Sequence, residues 1–390
     1  DERKPVTHGD IDARTAHDLR DAGSLKWTMF PDTIGAFVAE MDFGVAPAVT
    51  EAITDSLERG LTGYLPKHVA DEMSAATARW YAEQYGWAVP ATHVTHMPDV
   101  ITAFEAAIDH FSAPESAVIL PTPAYMPFLT VPAMHGRRVI EVPSIEQDGR
   151  WVIDLDGVAA AFDDGGGLLV LCNPHNPLGT VSTRDELLAV AEVVAAKGGR
   201  VFADEIHAPL VYRPAAHVPY ASVSDAAAAH TVTATSASKA WNLAGLKCAQ
   251  LIFSNETDAA TWTRIGWWPA HGTSTTGVIA NTAAYEHGKP WLDDVVAYLD
   301  GNRRRLAELV AQHLPRARVT VPEGTYIALI DVRAYGLTGN LGAWFRQNAG
   351  VALTDGLACG QAGAGHVRIV FALPRPLLEE AIARMGAALA

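Results

Sequence analysis

The sequence predicts an α/β protein: a mostly parallel sheet flanked by helices, with a smaller α+β domain attached. Three observations predict it. Between residues 115 and 255, short apolar runs alternate with helical patterns, the rhythm of parallel strands joined by crossover helices. After about residue 285 the order changes to a long Arg-bearing helix, short strands and two further helices. The chain has 390 residues, enough at roughly 100 to 200 residues per domain for two or three domains with a substantial core.

The elements follow in order. Residues 93–97 read as a strand, and Pro98-Asp99 opens an amphipathic helix with Val100, Phe104, Ala107, Ile108 and Phe111 on one side. Further strands are expected at 117–120, 167–172, 200–203, 231–235 and 249–253. Thr183-Arg-Asp-Glu186 is a capping box opening a helix with Leu187, Ala191 and Val194 on one face, and Gly198-Gly199 ends it. That completes a β-α-β unit. Beyond it come a helix carrying Asn302-Arg-Arg-Arg305, strands at 319–321, 326–332 and 367–371, a helix at 341–347 and a last helix from Leu377. The expected division is a large domain, 46–285, and a small domain made of 1–45 and 286–390.

Composition excludes several functions. With 29 basic against 44 acidic residues the net charge is −15, so a nucleic-acid backbone would be repelled. The cysteines Cys172, Cys248 and Cys359 lie far apart with no CxxC pair, which argues against a disulfide framework or zinc ribbon. Unbroken apolar runs such as 168–172 fall far short of the roughly 20 residues of a membrane span. The opening Asp1-Glu-Arg-Lys-Pro5 has no apolar h-region, and a cytoplasmic location is the expectation.

Chemistry-bearing residues gather at the ends of consecutive expected strands: Asn173-Pro-His-Asn176-Pro-Leu-Gly179, Asp204-Glu-Ile-His207 and Ser236-Ala-Ser238-Lys239. In an open α/β sheet the carboxyl ends of the strands form the ligand crevice, so these loops should converge. Alone, a lysine among small hydroxyl residues is more often solvated, and a strand-end Asp is about as often a turn cap as a functional group. Together they suit carbanion chemistry on pyridoxal phosphate: an amine that forms an imine with the aldehyde, and a carboxylate that keeps the pyridine nitrogen protonated.

These motifs, with Ser236 to Lys247 continuing as Ser-Ala-Ser-Lys-Ala-Trp-Asn-Leu-Ala-Gly-Leu-Lys, resemble the fold-type I pyridoxal phosphate enzymes of the aminotransferase class I/II superfamily. The closest resemblance is to the cystathionine β-lyase and cysteine-S-conjugate β-lyase branch. Val38-Ala-Glu-Met-Asp-Phe43, Gly63-Tyr64, Pro121-Thr-Pro-Ala-Tyr125 and Gly324-Thr-Tyr326 add to it. The resemblance spans nearly the whole chain and implies a seven-stranded sheet in the large domain.

It further implies that Lys239 carries the cofactor and moves the Cα proton, Asp204 pairs with the pyridine nitrogen, and Tyr125 stacks on the ring. Asn176 and His207 would address the 3-hydroxyl. Val100 and Ile101 amides, Ser236, Ser238 and Lys247 would form the phosphate cup. Tyr64 and a residue near Thr275 would come from a neighbouring subunit, making a homodimer with active sites at its interface. Arg368, together with Asn176, would take the substrate carboxylate, with backbone groups of Gly35 and Val38-Ala39 nearby. By alternation alone, Arg368 would point to solvent; the resemblance turns it to the cleft. Two positions depart from the family pattern: Asp99, where a small residue is common, and Lys247, where Arg is.

Other patterns carry less. His93-Val-Thr-His96 lacks a third metal ligand, and no metal is expected; Gly360-Gln-Ala-Gly-Ala-Gly365 lacks the GxGxxG order; neither Walker A nor GxSxG occurs. The expected activity is α,β-elimination on L-cystathionine or a related cysteine thioether, giving a thiol, pyruvate and ammonia. The alternative is an aminotransferase; an idle binding domain is disfavoured because Lys239, Asp204 and Asn176 are all present.

Overall fold

The structure, a computed structural model, describes residues 8–390. Residues 1–7, which begin the expected small domain and include the segment without an h-region, lie outside the described residues.

Seven strands among the described residues form the main sheet, in the spatial order Val94–Met97, Ala249–Phe253, Thr231–Thr235, Arg200–Asp204, Gly166–Cys172, Ala117–Thr122, Val139–Pro143. The five from Thr231–Thr235 to Val139–Pro143 are parallel. Ala249–Phe253 runs antiparallel to both of its neighbours, which corrects the expectation of a parallel strand there. The reason is the connection: only a short loop and one 3-10 turn, at Ala244–Leu246, separate it from Thr231–Thr235, too little for a crossover helix.

Both faces of this sheet are covered, so its strands read as continuous apolar runs rather than alternating ones. On one face Val170, Phe202, Val232 and Leu251 meet Phe104 and Ala107 of the helix Val100–His110 and Phe128 of Pro127–Met134. On the other, Leu169, Leu171, Val201 and Ala203 meet Leu187, Val190 and Val194 of Arg184–Lys197. That helix begins in the expected capping box, with Thr183 and Glu186 each bonding the other's backbone, and ends at Gly198 in the left-handed conformation. Val139–Pro143 and the exposed hairpin Ile145–Gln147/Arg150–Val152 were not anticipated, since their half-exposed residues carry no clear apolar period.

A second, antiparallel sheet has the order Arg318–Val319, Ile327–Asp331, His366–Val370, Thr354–Asp355. Leu306 and Val310 of the helix Lys289–His313, and Leu378 and Ile382 of Arg375–Leu389, are buried in the core against it. The N-terminal segment folds back onto this region as expected: Ile34–Gly35 pairs in parallel with Val351–Ala352. Gly35 is needed there, because a Cβ would sit 1.9 Å from the Lys26 carbonyl oxygen. The segment is pinned by a fully buried ion pair, Lys26 Nζ to Asp42 Oδ2 at 2.9 Å, with the Trp27 indole donating to Asp42 Oδ1. No helix among the described residues is long and apolar enough to cross a membrane.

Candidate active site

The site lies at the carboxyl ends of Arg200–Asp204, Gly166–Cys172 and Thr231–Thr235, where the second sheet and the N-terminal segment close over them. Asp204 ends its strand opposite Cys172 in register, and the backbone amide of Asn173 donates to the Asp204 carbonyl. Its carboxylate, 4 % exposed, accepts the amide of Ile206 at 3.0 Å, and no lysine or arginine among the described residues lies at ion-pair distance from it. Burial, with the neighbouring Glu205 charge adding to it, pushes its proton affinity up to about 7.

Lys239 follows the strand Thr231–Thr235 by a four-residue turn in which the Ser238 amide donates to Ser236 Oγ. Its Nζ donates to the carbonyl of Ala39 at 3.3 Å, and the Tyr326 hydroxyl donates to the same carbonyl at 3.0 Å. Burial, then the nearby Arg368 cation, lowers the amine to about 8. A lysine so placed is partly unprotonated near neutral pH, the condition for a nucleophile or base.

Arg368 lies inside, 3 % exposed, not in solvent as the alternation of its strand suggests. All five residues of His366–Val370 are buried, because the N-terminal segment covers the face that alternation assigns to water. Its guanidinium donates to Asn176 Oδ1 at 3.2 Å and to the Phe37 carbonyl at 2.7 Å, while Nε has no partner. The carbonyls of Phe37 and Ala39, rather than groups of Gly35 or Val38, are therefore what the N-terminal segment brings to the site. His207 is buried with Nδ1 unpartnered and its ring edge-on to Tyr326; burial and the nearby cations hold it neutral, at about 3. Tyr125 packs edge-on against Phe128, 5.6 Å between ring centres, and burial raises its hydroxyl.

The expected phosphate cup is assembled in part. Val100 and Ile101 open their helix, whose first amides have no intrahelical acceptor. Asp99 caps that helix through the Thr102 amide and pairs with Lys247 Nζ at 3.2 Å, so the two departures from the family pattern answer each other. The Ser236 hydroxyl, expected in the cup, is instead buried and donates to the Cys248 carbonyl at 2.7 Å. Ser238 remains partly open. Tyr64 is 92 % exposed and is not brought to the Lys239 cluster within one chain; Thr275 sits beside it, its hydroxyl bonded to the Gly63 carbonyl. A cavity of about 390 Å³ shares Tyr125, Cys172 and Asn176 with the cluster but is not lined by Lys239, Asp204 or Arg368.

These residues fit pyridoxal phosphate. A buried carboxylate without a cationic partner suits a protonated ring nitrogen, and the unpartnered His207 Nδ1, Asn173 Nδ2 and Arg368 Nε mark polar groups left for a ligand to meet. Lys239 would hold the aldehyde carbon, Tyr125 would stack, and Lys247 with the Val100 and Ile101 amides would face the phosphate. The sequence reading missed Phe37, because a backbone carbonyl leaves no residue-type signal, and it missed the contacts of Glu205, described below.

This fold and cluster define an enzyme of the pyridoxal phosphate class, and the chain belongs to the aminotransferase class I and II family, whose model matches residues 34–385. It is 38% identical over 375 residues to a cystathionine beta-lyase of Corynebacterium glutamicum, covering 95% of this chain and 98% of that protein. A structure from Corynebacterium diphtheriae, named as a proposed PLP-dependent beta-cystathionase, superposes with a TM-score of 0.91 at 40% identity, covering 96% of this chain and 98% of that one. The PLP-bound C-S lyase of Staphylococcus hominis superposes with a TM-score of 0.89 at 27% identity, covering 97% of this chain and 98% of that one.

Proposed function

We propose that this chain is a PLP-dependent carbon-sulfur β-lyase that splits L-cystathionine or related cysteine thioethers into a thiol, pyruvate and ammonia. The observation that carries it is the buried Lys239, its amine lowered to about 8 and within the electrostatic reach of Asp204 and Arg368, in a chain 38% identical to a named cystathionine beta-lyase. When bound, the cofactor supplies an electron sink for the charge left at Cα as its proton departs. Asp204, buried and without a cationic partner at ion-pair distance among the described residues, would face the ring nitrogen and favour its protonated form, which keeps that sink strong. Arg368 exchanges the Phe37 carbonyl for the substrate α-carboxylate, a bidentate charge-assisted contact that orients Cα. Lys239 would then take the Cα proton, the β-thiolate, a good leaving group, would depart with its bonding electrons and take up a proton, and one water would hydrolyse the remaining three-carbon enamine to pyruvate and ammonia.

Four further readings accompany it. The exposed Tyr64 beside Thr275 supports a homodimer in which these residues complete a neighbouring subunit's phosphate cup. The division into a large domain, 46–285, and a small domain of 1–45 with 286–390 is supported by the two sheets and by the break between Thr275–His287 and Lys289–His313. Free Cys172, Cys248 and Cys359 suit work in the reducing cytoplasm, and homocysteine as product suits methionine biosynthesis. The test is to supply L-cystathionine without any keto acid and measure pyruvate and free thiol, against amino transfer from common amino acids to 2-oxoglutarate. Elimination is expected to dominate; keto-acid-dependent transfer faster by about tenfold or more, some 1.4 kcal/mol in barrier, makes the chain an aminotransferase.

A further inference from the structure

Asp204 is followed directly by a second carboxylate, that of Glu205, which the chemistry above does not use. Its side chain is 1 % exposed and turns away from the site. Oε1 accepts the Tyr81 hydroxyl at 3.1 Å, Oε2 accepts the Tyr220 amide at 3.0 Å, and His217 Nε2 lies 3.3 Å from Oε1. The His217 ring is itself buried, packed edge-on to Tyr85, with neither nitrogen in a well-formed hydrogen bond. The backbone around Glu205 is fixed as tightly: its amide donates to the Ala234 carbonyl, and its carbonyl accepts the Thr235 hydroxyl. With the Tyr81 hydroxyl and the Tyr220 amide donating to it and the His217 ring beside it, the Glu205 carboxylate is fixed in a dry pocket one residue from Asp204.

We propose that Glu205 is a positioning residue that acts through Asp204: its buried charge strengthens the hold of Asp204 on the proton of the cofactor's ring nitrogen. The physical reason is simple. A carboxylate charge in low dielectric favours any proton bound nearby, and among the described residues His217, 3.3 Å from Oε1, is the one basic side chain at ion-pair distance from Glu205. The groups that face it are Tyr81 and Tyr85 from the helix Lys67–Tyr85, His217 and the Tyr220 amide from the loop after Leu210, the Thr235 hydroxyl from the adjacent strand end, and Asp204 itself. The titratable side chains among them are Tyr81, Tyr85, His217 and Asp204. The raised proton affinity of Asp204, due first to burial, is in part the Glu205 charge.

The inference rests on the cofactor reading but not on which reaction follows. The experiment is a pH titration of the visible absorption of the loaded protein, in wild type, Glu205→Gln, Glu205→Asp and Tyr81→Phe, with thermal unfolding measured alongside. Glu205→Gln removes the charge and is expected to lower the absorption midpoint by roughly one pH unit. Glu205→Asp keeps the charge on a shorter arm, so its stability falls while its midpoint stays within about 0.2 pH units of wild type, since the midpoint follows charge rather than packing. Tyr81→Phe removes a hydroxyl dipole that partly offsets the charge, so its midpoint moves upward, opposite to Glu205→Gln. This conservative variant decides the matter if Glu205→Gln does not fold. A merely structural Glu205 would change stability in all three variants and leave the midpoints together, and that result overturns the inference. A protein that takes up no cofactor overturns the cofactor reading as well. Loss of C–S cleavage with the midpoint pattern intact overturns the lyase reading alone.

Discussion

Replacing Asp204 by Asn should make the cofactor-free protein more stable at pH 8 while weakening the loaded enzyme. The magnitude follows from burial. An Asp with an ordinary value of 3.8 is pushed up to about 7 in the folded protein, chiefly by desolvation. Below pH 3.8 the group is protonated in both folded and unfolded states and contributes nothing. Between 3.8 and about 7 the unfolded state ionises first, and stability falls by about 1.4 kcal/mol per pH unit. Above pH 7 the penalty is constant, about 4 kcal/mol on these values. Asn keeps the acceptor for the Ile206 amide but buries an NH2 group at a cost of about 1 to 3 kcal/mol, so the net gain for the cofactor-free variant at pH 8 is about 1 to 3 kcal/mol. Loaded with cofactor, the same change removes the charge opposite the ring nitrogen and should reduce kcat by about a hundredfold to a thousandfold. The assay is urea unfolding of wild type and variant without cofactor at pH 4, 6 and 8, with pyruvate release measured in parallel. The gain should shrink as pH falls and reverse to a loss of about 1 to 3 kcal/mol by pH 4, where the Asp penalty is gone and the buried NH2 remains. A cofactor-free variant less stable than wild type at pH 8, or a gain independent of pH, refutes the reasoning.

Three other outcomes are expected. Lys239→Ala should abolish cofactor attachment that borohydride can trap, and in the wild type the rate of cofactor uptake should rise with pH through about 8, the value at which the buried amine loses its proton; this is read by absorbance and by peptide mapping after reduction. Arg368→Ala should raise KM for the amino acid by about a hundredfold or more with a smaller effect on kcat, because it removes a charge-assisted carboxylate contact worth about 3 kcal/mol; steady-state kinetics decides. Asp42→Asn should cost about 3 to 5 kcal/mol in urea unfolding, since it leaves the Lys26 ammonium buried without its counter-charge. The same variant should raise KM as the Phe37 and Ala39 carbonyls shift.

Much of the fold was legible because the local rules agreed. The capping box at Thr183, the glycine that ends its helix and the apolar runs on either side form a β-α-β unit that no distant contact needed to rescue. The antiparallel strand Ala249–Phe253 was not legible, because strand direction depends on the path of a connection, which apolar pattern does not encode. The half-exposed strands near Val139–Pro143 carried no clear period at all.

For the site, sequence by itself determined the chemistry. Lysine, aspartate and an Asn-rich loop at consecutive strand ends are residue types that few reactions need together, and their order along the chain already implied one crevice. What only the tertiary structure decided is the environment of each group, because proton affinity and direction depend on what packs around a side chain. Arg368 alternates as a solvent-facing residue and becomes a buried ligand holder only because the N-terminal segment, some 330 positions away in sequence, lays the Phe37 carbonyl against it. Ser236 carries a hydroxyl suited to phosphate, yet a strand neighbour takes it through the Cys248 carbonyl. Glu205 reads as a twin of Asp204 and ends in a separate pocket, since neighbouring residues at a strand end point to opposite sides. Residue identity sets which reactions are possible, and burial and long-range contacts set which of those residues are charged, neutral or free to act.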